Sequence, residues 1–146
     1  IAFNVIPKID AFEKNGYTAE EMKVAHETQK ILNDEEILIN TTAVRVPVFF
    51  GHSAAINIET EKLADIETVK KLLNAMPGIE LGDDDFPTPV TDAANHDSIF
   101  VGRIRKDISH PNGINLWVVA DNVRKGAALN AIQIAEMLIK NSFYQN

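Results

Sequence analysis

The chain has 146 residues, no cysteine and a formal net charge of -7 at pH 7. Its hydrophobic fraction of 45% and charged fraction of 24% are typical of one globular domain with a core, and they disfavour a disordered chain. The acidic balance argues against general nucleic-acid binding, which needs a basic face. The lack of cysteine excludes disulfides, thiolate metal sites and a cysteine nucleophile on this chain. The apolar runs are too short for a membrane-spanning helix.

The first residues suggest a piece of a longer protein. The sequence begins at Ile1 rather than at a methionine, and residues 1–6 are apolar without a basic leader. Six residues are too few for the apolar core of a signal peptide. We therefore expect a fragment or a processed piece.

The first regular element predicted is a helix over residues 19–32. Thr18 and Glu21 have the spacing of a capping box, in which each side chain accepts from the other residue's backbone N–H. Asn33 and Asp34 are the predicted stop. Charged residues recur at spacings of three and four and share one face of this helix: Glu20, Lys23, Glu27 and Lys30. From the spacing alone, that face is best explained as a solvated series of ion pairs.

Alternation of apolar residues then predicts two strands, over residues 43–50 and 54–60. Pro47 places the first of them at a sheet edge or a bulge, because proline has no N–H to donate. Gly51 separates the two strands and is the expected bend.

The second half of the chain predicts a helix, a hairpin and a closing helix. Residues 66–76 form a short helix with Asp65 as its cap. Residues 98–105 and 114–121 are strands joined by a turn, which favours an antiparallel hairpin. Residues 125–142 close the chain as a helix with a broad apolar stripe. This order predicts an α+β domain, with a mixed or antiparallel sheet covered by helices on one face.

Neither a metal site nor a phosphate loop is convincing. Residues 82–85 are acidic, but they lack the spaced ligands and the terminal glutamate of an EF-hand, so a solvated loop is favoured. The four histidines lie far apart without ligand spacing. No Gly-rich loop and no Gly-x-Ser-x-Gly elbow is present.

Arg45 and His52 are the pair of residues that suggests chemistry. Arginine recognises a carboxylate or phosphate with two parallel hydrogen bonds, and histidine moves protons near neutral pH. A structural explanation competes, with the arginine paired to a core carboxylate and the histidine on a surface loop. From these two residues alone the structural explanation is favoured.

Around these residues the sequence resembles the aspartate-semialdehyde dehydrogenase family. Residues 39–53 are similar to the family's signature segment, which has an arginine, a short apolar run, a small residue and a histidine. Further similar segments follow in order over nearly the whole chain: residues 20–23, 27–33, 101–105, 113–117 and 121–136. Together these motifs are specific to the family.

The resemblance implies an enzyme that reduces L-aspartyl-4-phosphate with NADPH to L-aspartate-4-semialdehyde and phosphate, on the route to lysine, threonine, methionine and diaminopimelate. It implies that residues 1–146 are the C-terminal catalytic and dimerisation domain, folded like that of glyceraldehyde-3-phosphate-dehydrogenase-like enzymes. The N-terminal Rossmann domain, which binds most of the NADP, and the nucleophilic cysteine would lie outside this chain. The enzyme would be a cytoplasmic homodimer without nucleic-acid or membrane partners.

Residue roles follow from the same resemblance. His52 matches the general acid/base, and Arg45 matches the arginine that holds the substrate α-carboxylate. Glu20 matches the residue that contacts the substrate amino group, and Lys23 the lysine that helps to bind phosphate. Asn130 is similar to a residue near the nicotinamide. Such a set is chemically coherent, because a zwitterionic acyl phosphate needs a cation at each anion and an anion at its ammonium.

The resemblance also changes three expectations. The Glu20 and Lys23 face becomes a pocket wall rather than a solvated series, and Arg45 and His52 are expected to point into one open cleft beside it. The closing helix is expected to pack on the missing Rossmann domain. One departure is Ala43, where the family commonly has a second, non-nucleophilic cysteine; this small-for-small change puts little in doubt.

The sequence is compatible with three functions. The chain could be part of the dehydrogenase and inactive alone, a non-catalytic dimerisation module of the same ancestry, or part of a related reductase such as the N-acetylglutamyl-phosphate enzyme. The complete set of Arg45, His52, Glu20 and Lys23 argues against loss of catalysis. Glu20 favours a substrate with a free amino group.

Overall fold

The computed structural model describes residues 1–82 and 86–141. The chain forms two compact units, Ile1–Pro47 and Val48–Asn146. Most of the predicted acidic loop, residues 83–85, and the last residue of the predicted closing helix, Ser142, lie outside the described residues. In the described part of the chain, no helix has the length and apolar character needed to cross a membrane.

The first unit contains one helix, α1 (Ala19–Leu32), which begins and ends as predicted. Its capping box is complete: Thr18 Oγ1 accepts from the Glu21 N–H at 3.3 Å, and Glu21 Oε2 accepts from the Thr18 N–H at 2.7 Å. Asn33 ends the helix in the left-handed conformation with φ of 52°, which asparagine adopts more readily than most residues. Helix caps of this kind contribute about 1 kcal/mol each.

The predicted strand over residues 43–50 is wrong. All of these residues are described, and the only pairing among them is an isolated antiparallel bridge between Arg45 and Ile6. Val44, Val46 and Val48 remain exposed. Alternation is necessary for a half-buried strand, but a strand also needs a neighbour along its length. The segment before α1 provides that neighbour at one position only.

The second unit is built on a four-stranded sheet. Its strands are β1 (His52–Glu59), β2 (Ile79–Leu81), β3 (Ile99–Lys106) and β4 (Gly113–Ala120). Their spatial order is β1-β4-β3-β2, with β4 antiparallel to β1 and β3, and β2 parallel to β3. The predicted hairpin is therefore confirmed as β3 and β4. Strand β1 starts two residues before its prediction, and β2 was missed because three residues are too few to show a period.

Two helices accompany the sheet, α2 (Ile66–Asn74) and α3 (Leu129–Lys140). As predicted, Asp65 caps α2, accepting from the Thr68 N–H at 3.1 Å. The single closing helix predicted over residues 125–142 is wrong at its start. A one-turn π-helix, Arg124–Ala128, precedes α3, and Ala127 has non-helical angles. Gly126 lies in this turn, and glycine disfavours regular helix.

The core of the second unit surrounds the central strand β4. Buried apolar side chains come from β4, from β3 and from the π-helical turn Pro89–Ala93: Ala93, Val101, Ile114, Leu116 and Val119. Helix α2 packs against β2 and β3. All eight residues of β1 are exposed. The mixed sheet with its helices is the predicted α+β class, and it leaves β1 as an uncovered edge.

Candidate functional site

Glu20 and Lys23 lie one turn apart on α1 and form an ion pair. Lys23 Nζ is 3.9 Å from Glu20 Oε2, and the two side chains are 56% and 36% exposed, respectively. A solvated pair at this spacing contributes well under 1 kcal/mol, roughly 0.3–0.5 kcal/mol. Either side chain can therefore exchange its partner for a ligand at little cost. The pair offers one anion and one cation side by side.

Arg45 has a fixed backbone and an exposed side chain. Its N–H donates to the Ile6 carbonyl at 2.9 Å, and its carbonyl accepts from the Ile6 N–H at 3.0 Å. The residue as a whole is exposed. The structural explanation weighed for this arginine, a pair with a core carboxylate, is not seen among the ion pairs of the described residues.

Glu21 connects α1 to the segment that precedes Arg45. Its residue is 6% exposed. One carboxylate oxygen caps the helix at Thr18, and the other, Oε1, accepts from the Ala43 N–H at 2.8 Å. The backbone N–H of Thr18, and then that of Ala43, lower the pKa of Glu21 below its usual 4.5, so the carboxylate is ionised at neutral pH. The capping spacing predicted the first contact, but no sequence signal indicates the second, which joins residues 22 apart.

A cavity of about 400 Å³, lined in part by Glu21, lies in the first unit. Its lining is mixed, with two aromatic rings and several amide or hydroxyl groups: Pro7, Phe12, Asn15, Gly16, Tyr17, Glu21, Asn40, Thr41 and Thr42. The Tyr17 hydroxyl and Asn40 Oδ1 are hydrogen bonded at 2.9 Å. Glu20, Lys23 and Arg45 are not among these lining side chains.

His52 is the first residue of β1 in the second unit, and it is exposed. It pairs with Ala120 of β4. The preceding Gly51 has φ of 76°, and a Cβ there would lie 2.9 Å from Pro89 Cβ and 3.0 Å from the Ala120 carbonyl oxygen. The predicted bend at Gly51 is confirmed. Because Arg45 belongs to the first unit and His52 to the second, their shared cleft stays a prediction.

Asn130 is half-buried at the second position of α3. The turn before it is held by Asp121, which is 7% exposed. Asp121 Oδ2 accepts from the Asn95 N–H, and Oδ1 from the Val123 N–H, both at 2.9 Å. The Asn95 bond is the main cause of the lowered pKa of Asp121. Within residues 1–82 and 86–141, no three histidine, cysteine, aspartate or glutamate side chains are grouped so that they could hold a metal ion.

Comparison with known proteins gives the family of this chain. The family model described as "Semialdehyde dehydrogenase, dimerisation domain" matches residues 1–125. The chain belongs to the semialdehyde dehydrogenase dimerisation-domain family. This match includes four of the five predicted site residues and confirms the resemblance found in the sequence; Asn130 lies beyond it.

Individual relatives of this dimerisation domain are aspartate-semialdehyde dehydrogenases. The one from Shewanella sp. (strain DB6705) is 61% identical over 145 residues, which are 98% of this chain and 43% of that protein. Aspartate semialdehyde dehydrogenase II from Vibrio cholerae, crystallised with ASA, superposes with a TM-score of 0.93 at 59% identity, over 97% of this chain and 43% of that one. The enzyme from Candida albicans, solved with NADP, gives a TM-score of 0.77 at 27% identity, over 94% and 45%. These structures confirm the predicted fold class, and this chain spans less than half the length of each relative.

Proposed function

We propose that this chain is the substrate-binding and dimerisation part of an NADP-dependent aspartate-semialdehyde dehydrogenase of the cytoplasm. The enzyme would reduce L-aspartyl-4-phosphate with NADPH to L-aspartate-4-semialdehyde and phosphate. The observation that carries the proposal is the family match, which extends over the segments that hold Glu20, Lys23, Arg45 and His52. The remainder of the enzyme would supply the dinucleotide-binding domain and the nucleophilic cysteine.

The charges of the first unit suit the charges of this substrate. The substrate carries an α-carboxylate, an ammonium and a phosphate. The proposal assigns the carboxylate to Arg45, the ammonium to Glu20 and the phosphate to Lys23. The exposed ion pair of Glu20 and Lys23 would open on binding and exchange its internal partner for the two oppositely charged groups of the substrate. Each charge of the ligand then meets one opposite charge of the protein.

His52 would serve as the proton shuttle. It is exposed at the start of β1, so a substrate can reach its ring. Attack by a thiol on the acyl phosphate releases a proton, and reduction of the resulting thioester returns the thiol, so one histidine that takes and gives a proton serves both steps. NADPH, when bound, supplies the hydride. Asn130 would contact the nicotinamide through its side-chain amide, which can donate and accept hydrogen bonds.

We also propose that the protein is a homodimer. The matching family is described as a dimerisation domain. Strand β1 is exposed along its whole length and presents Ile56 and Ile58 on one face, 37% and 41% exposed. Apolar strands without a cover are typical of surfaces that pair with another copy.

The test is an assay of the complete reading frame against the 146-residue chain alone. The complete protein should reduce NADP with aspartate semialdehyde in a phosphate-dependent reaction. The isolated chain should not, because it has no cysteine. A complete protein that acts on N-acetylglutamate semialdehyde instead would contradict the proposal.

His52→Ala in the complete protein tests the assigned proton shuttle. We expect kcat to fall by roughly 10²–10⁴-fold, the usual contribution of general acid/base catalysis. His110→Ala is the matched control, because His110 lies in the turn before β4 and accepts from the Asn112 N–H. Equal losses in both variants would remove His52 from the mechanism.

A further inference from the structure

We propose that Glu21 is a positioning residue of the substrate site, because its buried carboxylate ties the helix that carries Glu20 and Lys23 to the segment that carries Arg45. This inference rests on the proposed function, since it concerns how the substrate-binding side chains are held relative to each other. Glu21 itself would touch neither substrate nor cofactor.

The two carboxylate oxygens of Glu21 have different tasks. Oε2 accepts from the Thr18 N–H at 2.7 Å and completes the helix cap. Oε1 accepts from the Ala43 N–H at 2.8 Å, which contributes nothing to the cap. Both are charge-assisted bonds of short length, and such bonds are about twice as strong as neutral ones. A capping box alone would need only one of these oxygens.

The Ala43 bond fixes the chain close to Arg45. Ala43 lies two residues before Arg45, and Arg45 is itself held by its two backbone bonds to Ile6. The segment is therefore anchored at two successive points, although it belongs to no strand. The Arg45 side chain remains exposed, so the anchors act on its backbone and leave the guanidinium available.

The helix end of the connection is equally fixed. Glu21 follows Glu20 directly and lies two residues before Lys23 on α1. Thr18, the capping partner, is 1% exposed and Glu21 is 6% exposed, so the Thr18 bond is shielded from water, and the Ala43 bond is part-buried. In this setting an unmet donor costs more than it would at the surface. Loss of the carboxylate should thus let α1 and the 43–45 segment move relative to each other.

An amide cannot replace this carboxylate. Both partners of Glu21 are N–H donors, and an ionised carboxylate offers an acceptor to each. The side chain of glutamine has one acceptor oxygen and an NH₂ group. In Glu21→Gln the NH₂ group would face an N–H, either at Thr18 or at Ala43, and that contact would open.

The two ligands of the reverse reaction separate a positioning role from a general loss of stability. In the proposed site, the semialdehyde contacts Glu20 on α1 and Arg45 on the segment, so it needs both in register. Of the assigned side chains, inorganic phosphate contacts Lys23, which lies on α1. A loosened connection between helix and segment should therefore weaken the semialdehyde and spare the phosphate.

The experiment measures the KM of the complete enzyme for aspartate semialdehyde, phosphate and NADP in Glu21→Gln. We expect the KM for the semialdehyde to rise roughly tenfold or more, the effect of losing one hydrogen bond to a charged group. The KM values for phosphate and NADP should stay within about twofold. Thr18→Ala is the matched control, because it removes the hydroxyl that accepts from the Glu21 N–H at 3.3 Å and keeps both bonds of the carboxylate. It should lower Tm without raising the KM for the semialdehyde.

Three results would overturn the inference: an unchanged KM for the semialdehyde, an equal rise of all three KM values, or the same selective rise in Thr18→Ala. If Glu21→Gln does not fold, Glu21→Asp replaces it, since the shorter side chain keeps the charge but cannot span both donors. Glu20→Gln and Arg45→Lys are measured in parallel. If these two also leave the KM for the semialdehyde unchanged, the proposed function itself is wrong; if they raise it and Glu21→Gln does not, only the positioning role is wrong.

Discussion

The backbone N–H and carbonyl of Arg45 are both hydrogen bonded, and the residue is exposed to solvent. That combination suits recognition of a carboxylate, because the entropy of the backbone has already been lost, and no ion pair of the described residues occupies the guanidinium. An arginine held in a buried ion pair would have to break that pair before it could bind a ligand. The pairing of Arg45 with a core carboxylate is not seen among the described residues, and its contact with the substrate carboxylate stays a prediction.

Arg45→Lys in the complete enzyme should raise the KM for aspartate semialdehyde by roughly tenfold or more and change kcat less. An ammonium keeps the positive charge but cannot reproduce two parallel hydrogen bonds to a carboxylate. Steady-state kinetics with saturating NADP and phosphate give both constants. Arg105→Lys is the control, since Arg105 is exposed on β3 and donates to the Arg103 carbonyl at 2.8 Å. An unaltered KM in Arg45→Lys would remove the carboxylate contact.

Asp107 is a second residue whose surroundings have a measurable effect, in this case on the pKa of its carboxyl group. The Ser109 hydroxyl and backbone N–H donate to Oδ1, both at 2.7 Å, and Asn57 donates to Oδ2 at 2.5 Å. These bonds, those of Ser109 first, lower the pKa of Asp107 from 3.8 to about 2. Because the folded state prefers the ionised form, the stabilisation is complete above the unfolded pKa of 3.8 and is lost as the pH falls toward 2.

Asp107→Asn should therefore destabilise the protein at neutral pH, and the difference from wild type should shrink between pH 3.8 and about 2. Denaturant unfolding across that range gives the free energy of unfolding of each protein. Ser109→Ala should show part of the same pH dependence, and the two changes should not add, because they remove one interaction. A difference that is constant with pH would mean that the asparagine acts through packing rather than through charge.

At the scale of the element, β1 depends on Gly51, the residue directly before it, where the backbone has a positive φ. Positive φ at this position and close contacts with Pro89 and Ala120 leave no room for a side chain. Gly78 has almost the same φ, 78°, but its nearest neighbour would be the flexible end of Lys125 at 4.0 Å. The two glycines lie in one unit and differ mainly in the space around them.

Gly78→Ala should cost about 1 kcal/mol for the left-handed backbone alone. Gly51→Ala should cost at least about 1 kcal/mol more, because overpacking adds to the backbone term. Comparison of the unfolding free energies of both variants with wild type measures the difference. Equal losses would show that the contacts with Pro89 and Ala120 relax without cost.

The elements that could be predicted from sequence are those whose signals are local. The capping pattern of Thr18 and Glu21 and the cap of Asp65 gave helix starts that the structure confirms. The alternation over residues 43–50 failed because it reports a side-chain pattern and contains no information about whether a neighbouring strand exists. The contact of Glu21 with Ala43 is of the same non-local kind. The site residues were named by family resemblance rather than by physics, and their common geometry stays a prediction.

At the scale of the whole molecule, the exposed face of β1 predicts the dimer interface. Ala54, Ile56 and Ile58 alternate with Ala55, Asn57 and Glu59, so one face is apolar and the other more polar. A twofold interface uses the same surface from each copy, so one substitution acts twice. Ile56 lies near the middle of the apolar face.

Ile56→Lys should therefore convert the complete enzyme from a dimer to a monomer, because two ammonium groups would be buried in one interface. Light scattering at micromolar concentration gives the molar mass. Glu59→Lys introduces the same side chain on the opposite face of the same strand, and we expect it to stay dimeric. A dimeric Ile56→Lys protein would place the interface elsewhere. A monomeric wild-type protein would contradict the proposed homodimer.

The strand order β1-β4-β3-β2 also has a consequence for how the protein is made. On the ribosome, β1 is synthesised more than fifty residues before β4, the strand that it pairs with in the sheet. At roughly 5–20 residues per second, the strand waits for several seconds. The β3–β4 hairpin, by contrast, can close within about 10 microseconds once both strands have emerged. Strand β1 can thus join the sheet only after β4 has been translated. Until β4 is available, Ile56 and Ile58 belong to an unpaired strand in a growing chain.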